Sequence, residues 1–330
     1  MKRFTSMCAL LGLTASVMAG AGCRKSDDDE FRAGVPTREA VSLHVAGAPA
    51  DGASSVTTSA LVGQTADTYN VTRIVTAVVN GGTWAVLTLV KTIVSFPATS
   101  VSQDTAVWGP HTEPLSRNTW RLTVTRVQPH QFHWVFEGKD KKLGDDAFLA
   151  ILSGDHTAAV DASGDAIEGF GSGTFTVDWD KAALLPEHDR NVGVAAFTYS
   201  RATSNATVTI DVDFKGIQDD TTKEIFDATY EYTSTPGQGG KLLYAADKND
   251  VAGPAKEHST LESRWTEDGV GRCDVEVSGG DLTVPVAHAS ECWDDLFNSV
   301  YRNLEYPDAK GNWGAESACT AFPTAEYSQL

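Results

Sequence analysis

The chain has 330 residues, 41% of them hydrophobic and 9% aromatic, which is ample for a sizeable apolar core. Asp and Glu outnumber Lys and Arg by 44 to 26, a formal net charge of −18. That balance argues against binding nucleic acid or an anionic membrane through a basic patch.

Lys2 and Arg3 open a segment whose apolar stretch, Cys8 to Met18, runs into Ala19, Gly20, Ala21, Gly22 and Cys23. A charged start, an apolar middle and a small-residue end make a secretion signal, expected over residues 1–22. Small residues directly before a cysteine resemble the lipobox of bacterial lipoproteins. The resemblance implies cleavage before Cys23 and a diacylglycerol on its thiol, with the membrane as partner through that anchor. Gly20 stands where the family usually has leucine, and an ordinary secretory cut is the alternative. Residues 23–36 carry the block Asp27-Asp28-Asp29-Glu30, whose like charges repel, so an extended, disordered linker is expected. The block is similar to acidic export signals that follow the cysteine in some surface lipoproteins. Arg24 in place of aspartate implies, by resemblance to the enteric sorting rule, the outer membrane, on its periplasmic face or at the cell surface.

Residues 37–330 are expected to form one β-rich domain. Within it, Ala66 to Pro97 is the one long apolar stretch, with Val71, Ile74, Val75, Val78, Val86, Leu89, Val90 and Ile93 at helical spacing. A helix over about 67–96 is expected, capped by Asp67 or Thr68, weakened at Gly81–Gly82 and ended by Pro97. Arg73, Asn80 and Lys91 interrupt the run and argue against a membrane span.

Arg38 to Val45 alternates like a strand. About ten further runs do the same between Trp120 and Val277; in Thr207–Phe214, for instance, Val208, Ile210, Val212 and Phe214 share one face. Gly, Asp and Asn punctuate the runs, so hairpins connect them in sequence. The expected fold is mainly β: a single large curved antiparallel meander, half-barrel or barrel, packed on one long apolar helix. In element order this resembles the half-barrel with helical lid of the Lol-type lipoprotein carriers. Glu291 to Phe322 loses the alternation and is expected to be irregular, with a short helix at 294–303 as the alternative.

Three cysteines follow Cys23: Cys273, Cys292 and Cys319. Cys292–Cys319 is the preferred bridge, stapling the irregular tail, and Cys273–Cys292 is the competing pairing. The cysteine left over is expected to be buried and inert.

Candidate chemistry is thin. His130 and His133 fall on opposite faces of a strand and cannot share a metal. Asp161-Ala-Ser-Gly-Asp165 starts like a calcium loop but has Ala166 at the required glycine, so a hairpin turn is expected. The pairs Asp178/Asp180 and Asp211/Asp213 fit a solvated sheet face better than an acid–base pair. Gly169-Phe-Gly-Ser-Gly173 lacks both the strand-turn-helix context and the central serine of known glycine motifs. Trp108-Gly109-Pro110-His111 reads as a core aromatic beside a turn, or as an anchor for a ligand. No catalytic residue, metal or cofactor is expected. The expected role is a non-enzymatic, lipid-anchored envelope protein with a binding or structural task. The alternative is a carrier of a lipid or acyl chain in a cavity between helix and sheet, lined by Val78, Trp84, Val86, Leu89, Val90 and Ile93. A surface hydrolase is the third reading.

Overall fold

A computed structural model of the chain describes residues 29–47, 64–188, 191–219, 222–251, 253–305 and 311–330, apart from the side chains of 78, 81–86 and 89. The signal segment and Cys23 lie outside the described residues.

Among the described residues, fourteen strands form one antiparallel sheet whose spatial order is the chain order. They are β1 (Ser100–Val101), β2 (Thr105–His111), β3 (Asn118–Gln128), β4 (Gln131–Asp140), β5 (Leu149–Val160), β6 (Ala166–Asp178) and β7 (Val194–Arg201). After them come β8 (Val208–Gln218), β9 (Ile225–Thr235), β10 (Gly239–Lys248), β11 (Glu257–Trp265), β12 (Gly271–Gly279), β13 (Val286–Trp293) and β14 (Ser299–Leu304). β1 and β14 are its two edges, so the sheet is open and the closed barrel allowed by the sequence does not form. Alternation sets the buried face. On β8, Val208, Ile210, Val212 and Phe214 are buried while Asp211 and Asp213 are exposed. Register then stacks aromatic side chains across strands: Phe175 lies directly opposite Phe197, their rings parallel with centroids 4.4 Å apart.

Among the described residues, three α-helical segments accompany the sheet: α1 (Asp29–Arg32), α2 (Asp67–Val94) and α3 (Trp179–Ala182). α2 runs for 28 residues without a break at Gly81–Gly82. Tyr69, Val79, Leu87, Val90 and Val94 are buried in one apolar cluster with Trp134, Phe175, Tyr230 and Trp265 of the sheet. Its β-branched composition is a poor helix former, so burial rather than local propensity holds it helical. The buried threonines stay satisfied: Thr72 and Thr76 hydroxyls donate to the carbonyls of Thr68 and Thr72, each at 2.8 Å. The cap is not local. Asp67 and Thr68 lie inside the first turn and Ala66 precedes it, while Glu291 of β13 accepts from Thr68 N at 2.8 Å and from its hydroxyl at 2.9 Å. A buried carboxylate there meets one of the unpaired N–H groups of the first turn and the positive end of the helix dipole.

Two expectations for the chain before α2 are corrected. The linker does not extend to Pro36, because α1 starts at Asp29 and Phe31, Ala33 and Val35 are 2%, 5% and 3% exposed. Phe31 packs edge-on against Phe132, and the gain from burying that ring outweighs the repulsion of the acidic block beside it. Arg38–Val45 is not a strand either; Arg38–Val41 is a 3-10 turn. The backbone beyond it finds side-chain partners instead of a ladder. Asn80 accepts from Leu43 N at 3.1 Å and donates to Leu43 O at 3.0 Å, and the Tyr232 hydroxyl bonds to both N and O of His44 at 2.9 Å.

The C-terminal part is more regular than expected, since β13 and β14 extend the sheet and no helix forms at 294–303. Beyond β14 the tail crosses the face of β11–β13 opposite α2 and is joined to it by the Cys292–Cys319 disulfide. Under the tail, Arg272 Nε donates to Asp274 Oδ1 at 2.8 Å and Arg264 Nη2 to Asp274 Oδ2 at 3.0 Å. The two arginines also donate to the tail carbonyls of Phe322 and Thr324, and Glu326 N donates back to Asp274 at 3.1 Å. Cys273 faces the other side, buried and free, and burial pushes its thiol well up from the ordinary value.

Candidate functional site

The described residues bearing polar chemistry are mostly engaged in structure. His130 sits in the β3–β4 turn at φ 61°, and His133 pairs with Asp155 across β4 and β5 at 2.9 Å. Asp161 Oδ1 accepts from Ser163 N and Asp165 N, which makes the segment a hairpin turn. Asp178 caps α3 through Lys181 N at 2.9 Å, and Asp180 accepts from Gly193 N at 2.8 Å, so this pair does not share a strand face. Asp211 and Asp213 do share one. Partial burial, then the charge of Asp213, raises the Asp211 carboxyl above its ordinary value. Among the described residues, no group of three or more His, Cys, Asp or Glu is placed to hold a metal ion. No helix among them is long and apolar enough to cross a membrane.

One buried titratable pair is structural in a measurable way. His156 on β5 is 1% exposed, its Nδ1 lies 2.6 Å from the Tyr199 hydroxyl, and burial pulls its pKa down to about 4. The unfolded chain binds a proton here near pH 6.5 and the folded chain does not. His156 therefore withdraws stability as pH falls from about 6.5 to about 4, by roughly 3 kcal/mol in all. Urea unfolding of wild type and His156→Phe across that range is expected to show a shallower acid loss in the variant. Parallel curves would contradict it.

Two adjoining spaces lie where α2 ends against β2 to β6. A cavity of about 350 Å³ is bounded by Ile93, Phe96 and Pro97 after α2 and by Trp108, Pro110 and Trp120 of the sheet. A second, more open cleft of about 730 Å³ adjoins it, sharing Glu113 and Trp120, and is walled by Phe136, Ile151, Val177, Trp179 and Leu185. Both volumes fall within the usual range of small-molecule sites. The wall is fixed by packing: Trp120 stacks on Phe136 with centroids 5.1 Å apart and planes 14° apart. Gly138 makes room for it, since a Cβ there would lie 2.6 Å from the Trp120 ring and 2.9 Å from Leu185. The rim is fixed by hydrogen bonds. Asn118, 1% exposed, donates to Glu187 O at 2.6 Å and accepts from Glu187 N at 3.3 Å, while Ser116 donates to the Glu187 carboxylate at 2.8 Å. Leu115 stands almost fully exposed beside this rim.

Of the residues expected to line a ligand cavity, Ile93 borders the smaller cavity and Val90 is 0% exposed in the core cluster. The side chains of Val78, Trp84, Val86 and Leu89 lie outside the described residues. Trp108 is itself buried at 3%, its indole N–H donating to Phe96 O at 2.9 Å, and the following Gly109–Pro110 peptide is cis. The stretch singled out in the sequence therefore supplies both a core aromatic and part of a cavity wall. Trp120, Phe136, Val177 and Leu185 carry no signal of a site in the sequence, because each is an ordinary inward position of its own strand or loop. Compared with known proteins, the chain matches no family model, no curated protein and no solved structure, and the functional reading rests on this geometry and on the N-terminal motif.

Proposed function

We propose that the chain is a lipid-anchored protein of the bacterial cell envelope, with a binding rather than a catalytic role, whose cleft receives the apolar part of a lipid-like ligand. The observation that carries this reading is the pair of adjoining spaces around Trp120, apolar in their walls and braced by stacking and by the Asn118–Glu187 rim. In this reading the sheet curves around α2 as a half-barrel and the cleft is its open end, as in the carriers that the element order resembles. The tether follows from the small residues before Cys23, and the outer membrane from Arg24. A binding role is favoured because the carboxylates and histidines described above act as caps, turn anchors and ion-pair partners.

Native mass spectrometry of the chain extracted from its own membranes tests both halves. An acylated mass is expected that Cys23→Ala abolishes, together with a non-covalently held lipid. Leu185→Trp, which fills the larger cleft, is expected to lower uptake of a long-chain fatty acid at least tenfold, roughly 1.4 kcal/mol. A wild-type chain that carries no lipid and takes up no fatty acid refutes the cleft. Acylation that persists in Cys23→Ala refutes the anchor.

A further inference from the structure

The two adjoining spaces at the end of α2 share a junction made by Glu113 and Trp120, which line both. Glu187 lines the larger space, and among the described residues no lysine or arginine lines either one. Three cations of the neighbouring segments are used elsewhere. Arg121 pairs with Glu137 at 2.9 Å, Lys139 with Asp145 at 2.9 Å, and Lys141 Nζ donates to the Ser116 carbonyl at 2.8 Å. Arg117, four residues after Glu113, borders neither space. The other titratable side chains of the lining are His111 and His188.

The loop between β2 and β3 places Glu113 at this junction. Ser116 N donates to the Glu113 carbonyl at 3.0 Å, and the hydroxyls of Thr112 and Thr119 lie 2.5 Å apart at the base of the loop. The main chain around Glu113 is thus held, while its carboxylate is exposed and has no ion-pair or hydrogen-bond partner among the described residues. Glu187, by contrast, already accepts from the Ser116 hydroxyl at 2.8 Å. Beside Glu113, Trp120 has one face stacked on Phe136, and its ring borders both spaces.

We propose that the ligand of this cleft carries an organic ammonium group, seated at the junction between the Glu113 carboxylate and the Trp120 ring, with its hydrocarbon part in the larger space. The proposal rests on the reading of the cleft as the site of a lipid-like ligand, and it names the head of that ligand. The face of an indole is negative and attracts cations, and an unpaired carboxylate beside it adds a full charge of the same sign. An anionic head in that place meets the charge of Glu113 with no cation in the lining to offset it.

The test compares three probes with one ten-carbon tail: decyltrimethylammonium, decanol and decanoate. Each is titrated into the whole protein below its micelle concentration, at about pH 8, where ordinary imidazoles are uncharged, and followed by tryptophan fluorescence. The ammonium probe is expected to bind at least tenfold more tightly than decanoate, with decanol between them, and the gap is expected to shrink at high salt. Glu113→Gln is expected to leave decanol binding unchanged and to cut the ammonium preference at least fivefold. Glu113 is exposed, so the variant keeps the fold. It also barely alters a formal net charge of −18, which separates the local effect of Glu113 from the general attraction of an acidic protein for cations. A wild type that does not bind decanol removes the cleft reading and this proposal with it. Decanol binding without a preference for ammonium over decanoate sinks the proposal alone, as does a preference that Glu113→Gln leaves intact.

Discussion

Asp274→Asn is expected to cost the fold about 3–5 kcal/mol, as breaking a buried ion cluster by removing one partner generally does. Asp274 is 0% exposed and Arg272 1% exposed, and Arg264 stands directly opposite Arg272 in the β11–β12 register. Two like charges facing each other across a ladder repel, and Asp274 is the fully buried anion that compensates both. Ser290 donates to it at 2.6 Å and Glu326 N at 3.1 Å, so the carboxylate also anchors the tail. Asparagine keeps the shape but removes the charge, leaving both guanidinium groups desolvated beside a neutral amide. The remaining partners compensate less: Glu316 and Glu326 are about half exposed, and the buried Glu262 lies 3.8 Å from Arg264 and is shared with Lys241. Urea unfolding monitored by tryptophan fluorescence reads the loss directly. A change below about 1 kcal/mol would falsify the role given to Asp274.

Cys319→Ala is expected to cost about 3–4 kcal/mol, the chain-entropy value for a loop closed over a sequence separation of 27. No replacement bridge forms in the variant. Cys273 lies on the β12 face that looks toward α2, whereas Cys292 pairs in register with Arg272 on the tail side. Burial keeps the Cys273 thiol protonated besides. The two changes act on one element, so they should couple. Once the disulfide is gone the tail lifts more readily, water reaches Arg264 and Arg272, and loss of Asp274 then matters less. The double variant is expected to lose clearly less than the sum of the single losses. Additive losses would mean that the tail stays docked through its ionic contacts alone.

Strands such as β4, β7 and β8 are legible in the sequence because each buries one face and wets the other, which leaves a period of two. Among the runs that escaped notice, β13 has a different environment. On β13, Ser290 to Trp293 are all buried, covered on one side by α2 and on the other by the tail, and a strand buried on both faces carries no alternation. Arg38–Val45 shows the converse failure. It has the alternation, yet the hydrogen bonds that would make it a strand are taken by Asn80 and Tyr232, a choice made by residues 37 and 188 positions away.

The candidate sites divide the same way. Trp108 stood out beside its Gly-Pro turn, whereas Trp120, Phe136, Val177 and Leu185 come from segments spread over 66 residues and meet only because the meander lays β3 to β6 side by side.

By itself the sequence determined a β-rich chain of sequential hairpins, a helical apolar stretch before them, and Cys292–Cys319 as the favoured bridge. These follow from periodicity, turn residues and loop closure, which act over a few to a few tens of residues. Tertiary structure alone decided that the sheet stays open, that Glu291 rather than a local residue caps α2, that Asp274 is sealed beneath the tail, and where the cleft lies. Each of these depends on burial and on partners distant in sequence, and the free energy of a buried charge or an unfilled cavity is set by what surrounds it.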